Sequence, residues 1–449
     1  MMNPQAGSIH GQPYSRVPKD RYTSTRWAAL EQERLWPKVW QIACREEDVA
    51  NVGDYVEYEI GDTSILLVRS GRRTLKGFFN SCLHRGTRLR AGSGKAEELR
   101  CPFHGWCWAL DGTNREVVDL HDFPGLDPAT LRLAECRVDT WAGFVFVNLD
   151  PDAAPLATFL GPLFEQLAPY RIEDMRYMSW RTVRIPANWK TAIDAFNETY
   201  HLFGTHPASI SGSDDVNTSY ALFPPHGRMV TPVGIPSPRL EGKEVSQLMP
   251  EMVAGILAIQ KVTPDQLAYM KLLRDGEIAL PEDMTVQQLF AQMSRARLRK
   301  RGYDNPGLTN EQYGENWNYY IFPNICFNVL PGEFYGFRAR PAGDDPNACW
   351  FDEISLRFPE PGHLPRAHES VAWSDDRDER EATWGHIVNQ DFTNLPEIQR
   401  GLRAGGARHV RFSGYQESRI VTMHQELDRY LLDAGTSDNE PLTFVDPTP

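Results

Sequence analysis

Residues 188–207 read NWKTAIDAFNETYHLFGTHP, and they govern the interpretation of the rest of the chain. The pattern predicts one helix over 189–203, in which Asp194, Glu198 and His201 have the spacing i, i+4 and i+7. At about 100° per residue, these three side chains share one helical face. We therefore expect two carboxylates and an imidazole to lie together on this helix.

A second histidine follows near the end of the same segment. On an unbroken helix, His206 would point roughly 140° away from His201. Gly204 and Pro207 allow the helix to end here, which turns His206 back towards His201. Two converging imidazoles with carboxylates beside them suit a divalent transition metal, and one further carboxylate would complete the ligand set of oxygen-activating ferrous iron. The alternative is that one histidine caps the helix and the other lies on the surface.

A second group of potential ligands lies upstream. Cys82 and His84 form one short turn, and Cys101 and His104 form another. Each turn offers one thiolate and one imidazole, so the two turns together can hold a tetrahedral metal ion or a two-iron cluster. A zinc site is the alternative, although zinc fingers usually pair like ligands, whereas each turn here mixes them. In a two-iron, two-sulfide cluster, one iron takes both thiolates and the other takes both imidazoles, and such a cluster carries electrons.

The composition is that of a globular protein large enough for two domains, with 449 residues, 41% hydrophobic and 24% charged. The net charge of −13 argues against a nucleic-acid partner, because there is no surplus of basic residues to neutralise phosphates. No apolar run is long enough for a membrane span. Seven cysteines in a long chain do not indicate a disulfide framework. We expect a reduced, cytoplasmic setting.

The apolar pattern changes along the chain and predicts an α+β protein. Residues 1–39 are interpreted as an N-terminal segment whose helix, over 26–36, packs on the larger domain. Short strands of period two predict a small all-β domain over 40–150. The mixed pattern of 151–449 predicts a larger domain with an antiparallel sheet flanked by helices. Helices are expected over 244–259, 264–274, 285–299 and 416–432, and strands over 316–330, 333–339 and 348–357.

The two groups of potential ligands carry a family resemblance. The motifs Cys-x-His-Arg-Gly at 82–86 and Cys-Pro-x-His-Gly-Trp at 101–106 resemble the Rieske motif. Asn-Trp-Lys at 188–190 and Glu-x2-His-x4-His at 198–206 complete the resemblance. Over nearly its whole length, the chain resembles the large (α) subunit of Rieske non-haem iron oxygenases, the ring-hydroxylating family.

The resemblance implies two metal centres. The domain over 40–150 would be a Rieske domain, and 151–449 would be the catalytic domain with a mononuclear Fe(II) held by His201 and His206. The [2Fe–2S] cluster would be held by Cys82, His84, Cys101 and His104.

The third iron ligand that the family requires is a downstream carboxylate. Asp391 precedes a Glu-Ile-Gln segment at 397–399 by six residues, which is similar to the family's stretch around the ligating aspartate. The alternative is that Asp391 caps the N-terminus of a helix. The chain departs from the family motif at Ala195, where asparagine is common, and at Asp194, where glutamate is common. These departures leave the implied ligands unchanged.

Glu198 and Asp194 are the candidate catalytic acids. In the family, the acid at the position of Glu198 is not an iron ligand; it hydrogen-bonds an iron-bound histidine and a cluster histidine of the neighbouring subunit. A carboxylate in that role fixes the imidazole tautomer and raises its basicity. The resemblance therefore implies a head-to-tail ring, a homotrimer or a multiple of it, with or without a small β subunit. The alternative for Glu198 is a salt bridge or a solvated carboxylate.

Two further sets of residues are candidates for recognition. Arg85, Arg88 and Arg90 border the first Rieske motif and could receive an acidic electron donor, or they could form a plain solvated loop. An apolar pocket wall opposite the iron is the second candidate, drawn from Tyr319, Tyr320, Phe322, Asn324 and Phe327.

The resemblance implies the terminal oxygenase component of a multicomponent system. Electrons from NAD(P)H would pass through a separate reductase, with or without a ferredoxin, to the cluster and then to the iron, which uses O2. No glycine-rich nucleotide motif is present, so the nicotinamide step belongs to another chain. The expected substrate is hydrophobic, aromatic or polycyclic, and is mono- or dioxygenated. The alternative is a Rieske monooxygenase that demethylates an O- or N-alkyl substrate; a remote alternative is a zinc-stabilised, non-enzymatic binding protein.

Overall fold

The structure is a computed structural model that describes residues 13–243, 247–253, 264–281, 284–303, 305–359, 362, 368–432 and 441–445. The chain forms two compact units, one over Ala29–Phe164 and one from the segments on either side of it. In the ranges given, no helix has both the length and the apolarity that a bilayer crossing requires.

The unit Ala29–Phe164 is built on a seven-stranded antiparallel sheet. Its strand Phe144–Asn148, with the sequence FVFVN, is buried at every position and is paired on both edges. A smaller sheet, Leu99–Arg100, Cys107–Trp108 and Asn114–Glu116, carries the second Rieske motif between its first two strands. Helices here are single turns or short segments, so the expected all-β architecture is confirmed. In spatial order, the larger sheet contains Gln41–Arg45, Phe144–Asn148, Glu135–Trp141, Thr74–Phe79, Thr63–Gly71, Asp54–Ile60 and Ser93–Lys95.

The other unit is built on an eight-stranded sheet, antiparallel except where Arg176–Ile185 pairs in parallel with Glu369–Val371. The expected antiparallel sheet with flanking helices is confirmed. In spatial order, its strands are Ser219–Phe223, His226–Thr231, Asn316–Ile321, Ile325–Leu330, Glu333–Ala342, Asp345–Arg357, Arg176–Ile185 and Glu369–Val371. A separate small sheet contains His409–Phe412, Ser15–Pro18 and Thr443–Phe444.

One face of the large sheet supports the segment that carries the candidate iron ligands. Phe337 from this face stacks on Phe196 with ring centroids 4.0 Å apart. Cys326, the cross-strand partner of Phe337 on the adjacent strand, places its thiol 3.2 Å from the side-chain oxygen of Asn197. The segment therefore rests on rigid strands, which suits a site that needs fixed geometry.

The segment 189–203 is not one helix, contrary to the prediction. The helix ends at Asp194, and the chain continues through a turn to the short helix Leu202–Thr205. We call residues 195–201 the ligand turn. Asp194, Glu198 and His201 therefore do not share a helical face.

A residue far away in sequence explains why the helix ends at Asp194. Arg419, from the helix Ser418–Leu431, donates hydrogen bonds to the carbonyl oxygens of Phe196 (3.2 Å) and Asn197 (3.0 Å). A continuing helix would need these oxygens as acceptors for its own backbone N–H groups. The side chain of Glu198 accepts the backbone N–H of His201 (2.9 Å), which closes the turn locally.

Other predicted helices are found with shifted ends. The helix expected over 26–36 is an α-helix, Thr25–Leu30, followed by a π-helical stretch, Glu31–Leu35. Of the helix expected over 244–259, residues 247–253 are helical, and 244–246 and 254–259 lie outside the described residues. The remaining predicted helices are Pro264–Arg274, Val286–Lys300 and Ser418–Leu431. Further helices are Asp20–Thr23, Leu156–Leu160, Leu163–Leu167, Asn310–Gly314, Arg377–Trp384 and His386–Arg403.

Candidate metal centres

Three potential ligands converge where the ligand turn ends. His201 closes the turn, and His206 follows one helical turn later, with its backbone N–H bonded to the carbonyl of Leu202 (2.9 Å). Asp391 comes from the interior of the helix His386–Arg403, so the alternative that it is a helix N-cap is wrong. The Oδ1 atom of Asp391 lies 3.1 Å from Nε2 of His206 and 3.8 Å from Nε2 of His201.

The convergence distinguishes this group from the rest of the described chain. The ligand atoms of His201, His206 and Asp391 all lie within 4.8 Å of one another, and within the described residues no other three His, Cys, Asp or Glu side chains do so. His206 and Asp391 are buried, whereas His201 is half-buried. The two histidines occupy the N-cap and C-cap positions of the short helix Leu202–Thr205, but the His201 side chain makes no capping hydrogen bond, and the pair does not lie on the surface.

The outer nitrogen of each imidazole has its own partner. Nδ1 of His201 lies 2.7 Å from Oε1 of Glu198, and Nδ1 of His206 lies 2.7 Å from Oε1 of Gln390. Both partners accept through oxygen, so each Nδ1 carries a proton, and each Nε2 faces Asp391 and is the atom that would bind a metal. Metal-binding histidines have this arrangement, in which an outer acceptor fixes the tautomer and the ring orientation.

The electrostatics of the group favour a bound cation. Burial disfavours the imidazolium form of His201, but the charges of Glu198 and Asp391 outweigh this and raise its pKa to about 9. A pocket that stabilises positive charge on an imidazole also stabilises a metal cation at the same place. The donor set of two imidazoles and one carboxylate matches mononuclear ferrous iron.

Asp194 is not part of the converging group. Its Oδ2 accepts a hydrogen bond from the hydroxyl of Tyr22 (2.8 Å), and that hydroxyl also contacts Nε2 of His424 (2.7 Å). Its Oδ1 is buried without a hydrogen-bond partner. Burial raises the pKa of Asp194 to about 8. The sequence spacing suggested a shared face with Glu198, but the end of the helix at Asp194 separates the two acids.

The four residues of the Rieske motifs lie on two matched turns. Gly86 follows the first pair and Gly105 the second, both with φ near +75° (77° and 74°), and each donates its N–H to the carbonyl of the cysteine that begins its turn. This left-handed conformation suits glycine, because other side chains are strained there. The cysteines Cys82 and Cys101 are buried, and the histidines lie half-buried at the turn ends.

The arrangement of these ligands fits a two-iron cluster better than one zinc ion. The thiols of Cys82 and Cys101 interact with each other, and the rings of His84 and His104 lie edge to face with centroids 4.6 Å apart. Yet no three of the four bring ligand atoms within 4.8 Å of one another. A tetrahedral zinc ion, with ligand bonds of about 2.0–2.3 Å, would place all four well inside that distance.

Each of the two cluster histidines has one ring nitrogen that makes no hydrogen bond. The Nδ1 atoms of His84 and His104 are buried and have no hydrogen-bond partner, which is costly unless they bind something. Burial, followed by the charges of His104 and Arg85, lowers the pKa of His84 and so favours its neutral, ligating form. Trp106 stacks on His84 with centroids 5.0 Å apart and planes 10° apart. The residues present therefore fit a Rieske cluster.

Two family models match the chain, in the order that the sequence suggested. The Rieske [2Fe-2S] domain model matches residues 39–126. The model for the ring hydroxylating alpha subunit (catalytic domain) matches residues 172–433, which is more than half of the chain. The chain belongs to the ring-hydroxylating alpha subunit family. A Rieske [2Fe–2S] cluster and a mononuclear iron are the cofactors of this architecture, as the sequence predicted.

The relatives of this alpha subunit include enzymes of different substrate classes. It is 33% identical over 225 residues to the carnitine monooxygenase oxygenase subunit of Escherichia coli (strain K12), over 49% of this chain and 59% of that protein. It is 31% identical over 201 residues to the anthranilate 1,2-dioxygenase large subunit of Acinetobacter baylyi, over 42% of each chain. The chain thus matches about half the length of these curated relatives.

The fold is shared along a greater length than the sequence similarity. The solved structure of the quaternary ammonium Rieske monooxygenase CntA in complex with L-carnitine superposes with a TM-score of 0.66 at 20% identity, covering 96% of this chain and 99% of that one. At this level of identity, the likeness establishes the fold.

The arginines beside the first Rieske motif have different surroundings. The guanidinium of Arg90 donates to the carbonyls of Leu89, Glu98 and Arg100, so it has a structural role. Arg88 pairs with Glu59 (2.8 Å). Arg85 lies over the exposed ring of Phe103. Only Arg85, of these three, combines exposure with no carboxylate partner among the described residues.

The candidate pocket wall is divided between the two faces of the sheet. Tyr319 and Phe327 are cross-strand partners that stack on each other, on the face opposite to Cys326 and the ligand turn. Tyr320 is on the same face as Cys326 but is buried, and its hydroxyl bonds the carbonyl of Pro323. These residues therefore build the sheet.

Two residues beside the ligands, half-buried Gln390 and buried Arg419, were missed by sequence reasoning. Gln390 precedes Asp391 and orients His206, and Arg419 holds the ligand turn. Adjacency to Asp391 was the only signal for Gln390. Arg419 gave no local signal, because its partners lie 222 and 223 residues away.

Proposed function

We propose that this chain is the terminal oxygenase component of a multicomponent Rieske system. The observation that carries the proposal is the convergence of His201, His206 and Asp391 in a chain that also pairs two cysteines and two histidines on matched turns. One centre stores an electron received from a separate reductase, with or without a ferredoxin. The other centre uses electrons to activate O2.

The buried and the half-buried cluster residues would bind different iron atoms. Cys82 and Cys101, the buried pair, would hold the inner iron as thiolates. His84 and His104, which lie half-buried, would hold the outer iron through Nδ1 and offer their other ring edge to a partner. Neutral imidazole in place of thiolate raises the reduction potential of such a cluster.

The iron residues would form a face with open positions opposite it. His201 and His206 would bind through Nε2, and Asp391 through its carboxylate, which leaves coordination sites where iron can activate O2 beside the substrate. Glu198 and Gln390 hold the two imidazoles in the ligating tautomer. Asp391 and His206, which are buried, exclude water from their side of the site.

Glu198 is proposed to connect the two kinds of centre between copies of this chain. Exposed apolar side chains flank the cluster turns, Leu83 at 45% and Phe103 at 57% exposure. Others flank the iron ligands, Tyr200 at 52% and Phe203 at 57%. Exposed apolar side chains that lie together often mark a protein–protein interaction site. A head-to-tail ring, most simply a homotrimer, would bury both surfaces and bring a cluster histidine of one copy to Glu198 of the next.

For the substrate, we propose an N-alkyl compound of the quaternary ammonium type. The carnitine monooxygenase relative supports this class over the aromatic hydrocarbon that the sequence alone suggested. The net charge of −13 also favours the approach of cations. Hydroxylation of a carbon next to nitrogen takes one O2, two electrons and two protons and releases one water. The C–N bond of the product then breaks to give an amine and an aldehyde.

Oxygenation of an aromatic ring is the second candidate function. It is favoured by the 31% identity to the anthranilate 1,2-dioxygenase large subunit, which is similar in extent to the match with the carnitine enzyme. A dioxygenation would place both atoms of O2 in the product, whereas N-dealkylation places only one.

The test is product analysis under labelled O2 with a surrogate reductase and NADH. We expect tertiary amine and aldehyde from a panel of trimethylammonium compounds, with one labelled oxygen atom in the aldehyde before exchange. The Asp391→Ala variant, with its cluster intact, is the matched control and should give no product. Oxygenation of aromatic acids alone would establish the second candidate. Absence of product from every compound, with iron bound and the cluster reducible, would contradict the proposed function.

A further inference from the structure

Arg419 is buried without a carboxylate partner, which is unusual for an arginine. Its guanidinium donates to four neutral oxygens, and in the described part of the chain no acidic group lies within salt-bridge distance of it. Two of the oxygens are the carbonyls of Phe196 and Asn197, at the start of the ligand turn. The other two belong to Asn318, its carbonyl (3.2 Å) and its side chain (2.7 Å). One rigid, planar group thus joins the ligand turn to a strand of the large sheet.

The path of the Arg419 side chain is also fixed. It runs over Gly227, where an added Cβ would lie 3.0 Å from Cδ and 3.2 Å from Cγ of Arg419. Gly227 does not have a positive φ, so its backbone could accept alanine. The glycine therefore leaves room for the arginine, and a methyl group there would push Arg419 away from the ligand turn.

We propose that Arg419 is a positioning residue for the iron centre: it holds the ligand turn in the non-helical form in which Glu198 orients His201 and His201 faces the metal site. This inference rests on the proposed iron site. Without the two bonds from Arg419, the carbonyls of Phe196 and Asn197 become free to accept the backbone N–H groups four residues further on, those of Tyr200 and His201. Asp194 and His201 would then move towards the shared helical face that the sequence alone predicts, and His201 would turn away from Asp391.

Lysine cannot replace arginine in this role. The four acceptors are reached from three separate nitrogens, Nε, Nη1 and Nη2, in one plane. A lysine has all its donors on a single nitrogen. It would keep the positive charge but lose the planar set of donors that reaches all four oxygens. The charge alone would not hold both carbonyls together with Asn318.

The experiment measures Fe(II) affinity by competition with a chelator, on full-length protein whose cluster absorbance is intact. Arg419→Lys, Arg419→Met and Gly227→Ala are compared with wild type. Losing a group that orients a ligand typically lowers metal affinity about 10–100-fold. We expect losses in that range for both Arg419 variants and a smaller loss for Gly227→Ala. The electron paramagnetic resonance signal of the nitric oxide adduct of the iron should also change shape.

Two controls separate positioning from stability and from the site itself. Leu427→Ala removes a buried side chain two turns along the same helix, so it should lower the melting temperature and leave Fe(II) affinity unchanged. His201→Ala should lose Fe(II) affinity. If His201→Ala loses affinity but folded Arg419→Lys and Gly227→Ala keep the wild-type affinity and signal, the positioning role is refuted. If His201→Ala binds iron as wild type does, the proposed iron site itself is refuted.

Discussion

Gln390 provides the sharpest single-residue test of the iron site. Its Oε1 is 2.7 Å from Nδ1 of His206, and His206 is only 4% exposed, so water cannot easily replace the amide. Gln390→Leu leaves that N–H without a partner. A buried donor without its acceptor costs about 1–3 kcal/mol, and the ring is then free to rotate its Nε2 away from the metal.

This free-energy cost should appear as weaker binding of Fe(II). At about 1.4 kcal/mol for each factor of ten, Gln390→Leu should weaken Fe(II) binding about 5-fold to 150-fold. Gln390→Glu restores an acceptor and makes it anionic, and hydrogen bonds to charged acceptors are roughly twice as strong. We therefore expect this variant to bind Fe(II) at least as tightly as wild type.

The assay is a chelator titration of the purified variants, with cluster absorbance as an internal measure of folding. Asn394→Ala is the matched control, because Asn394 lies one turn further along the same helix and makes an exposed hydrogen bond to Thr205 (3.0 Å). Its affinity should equal that of wild type. Wild-type affinity in Gln390→Leu would refute the claim that the amide orients a metal ligand.

Three further changes test other parts of the account. Cys101→Ser should abolish the visible absorbance of the cluster, whereas Cys107→Ser, at a buried thiol whose pKa burial raises to about 11, should keep it; equal spectra in both would contradict the assigned cluster ligands. Burial raises the pKa of Asp194 to about 8, so the folded state holds a proton that the unfolded state releases between about pH 4 and pH 8, and stability falls as pH rises through this window. Asp194→Asn removes this loss, so its stability relative to wild type should increase by about 1 kcal/mol per pH unit there; chemical denaturation at several pH values would show it, and a pH-independent difference would argue against a protonated Asp194. Phe103→Ser should lower the mass of the assembly seen by light scattering if that ring is buried between copies, and an unchanged mass would exclude Phe103 from the interface.

The sequence predicted the cluster turns well because their geometry is local. Each Rieske motif contains its ligands, its turn and the glycine that the turn requires within five or six residues, as in 82–86 and 101–106. The apolar pattern also located the strands expected over 316–330, 333–339 and 348–357, although the break between Ile321 and Ile325 divided the first into two. The strands Arg176–Ile185, Ser219–Phe223, His226–Thr231 and Glu369–Val371 of the same sheet were not predicted.

The ligand turn could not be predicted in this way. Local spacing favours a continuous helix over 189–203, and a competitor within that segment is the Glu198 side chain, which accepts the backbone N–H of His201. The other competing bonds come from Arg419, more than two hundred residues later, and only the folded sheet brings them together. The same is true of Tyr22, which bonds Asp194 from near the N-terminus. Spacing identified His201 and His206 as candidates, and the family resemblance added Asp391. Spacing also placed Asp194 and Glu198 on a face that the fold does not form.

The central claim is that one chain carries two separate metal centres of different kinds. Iron and acid-labile sulfide analysis of the purified protein, before and after treatment with a chelator, tests it most directly. The account predicts about three iron and two sulfide per chain, of which about one iron is removed by the chelator while the colour and the sulfide remain. Zinc without sulfide, or a single class of iron that leaves together with the colour, would contradict it.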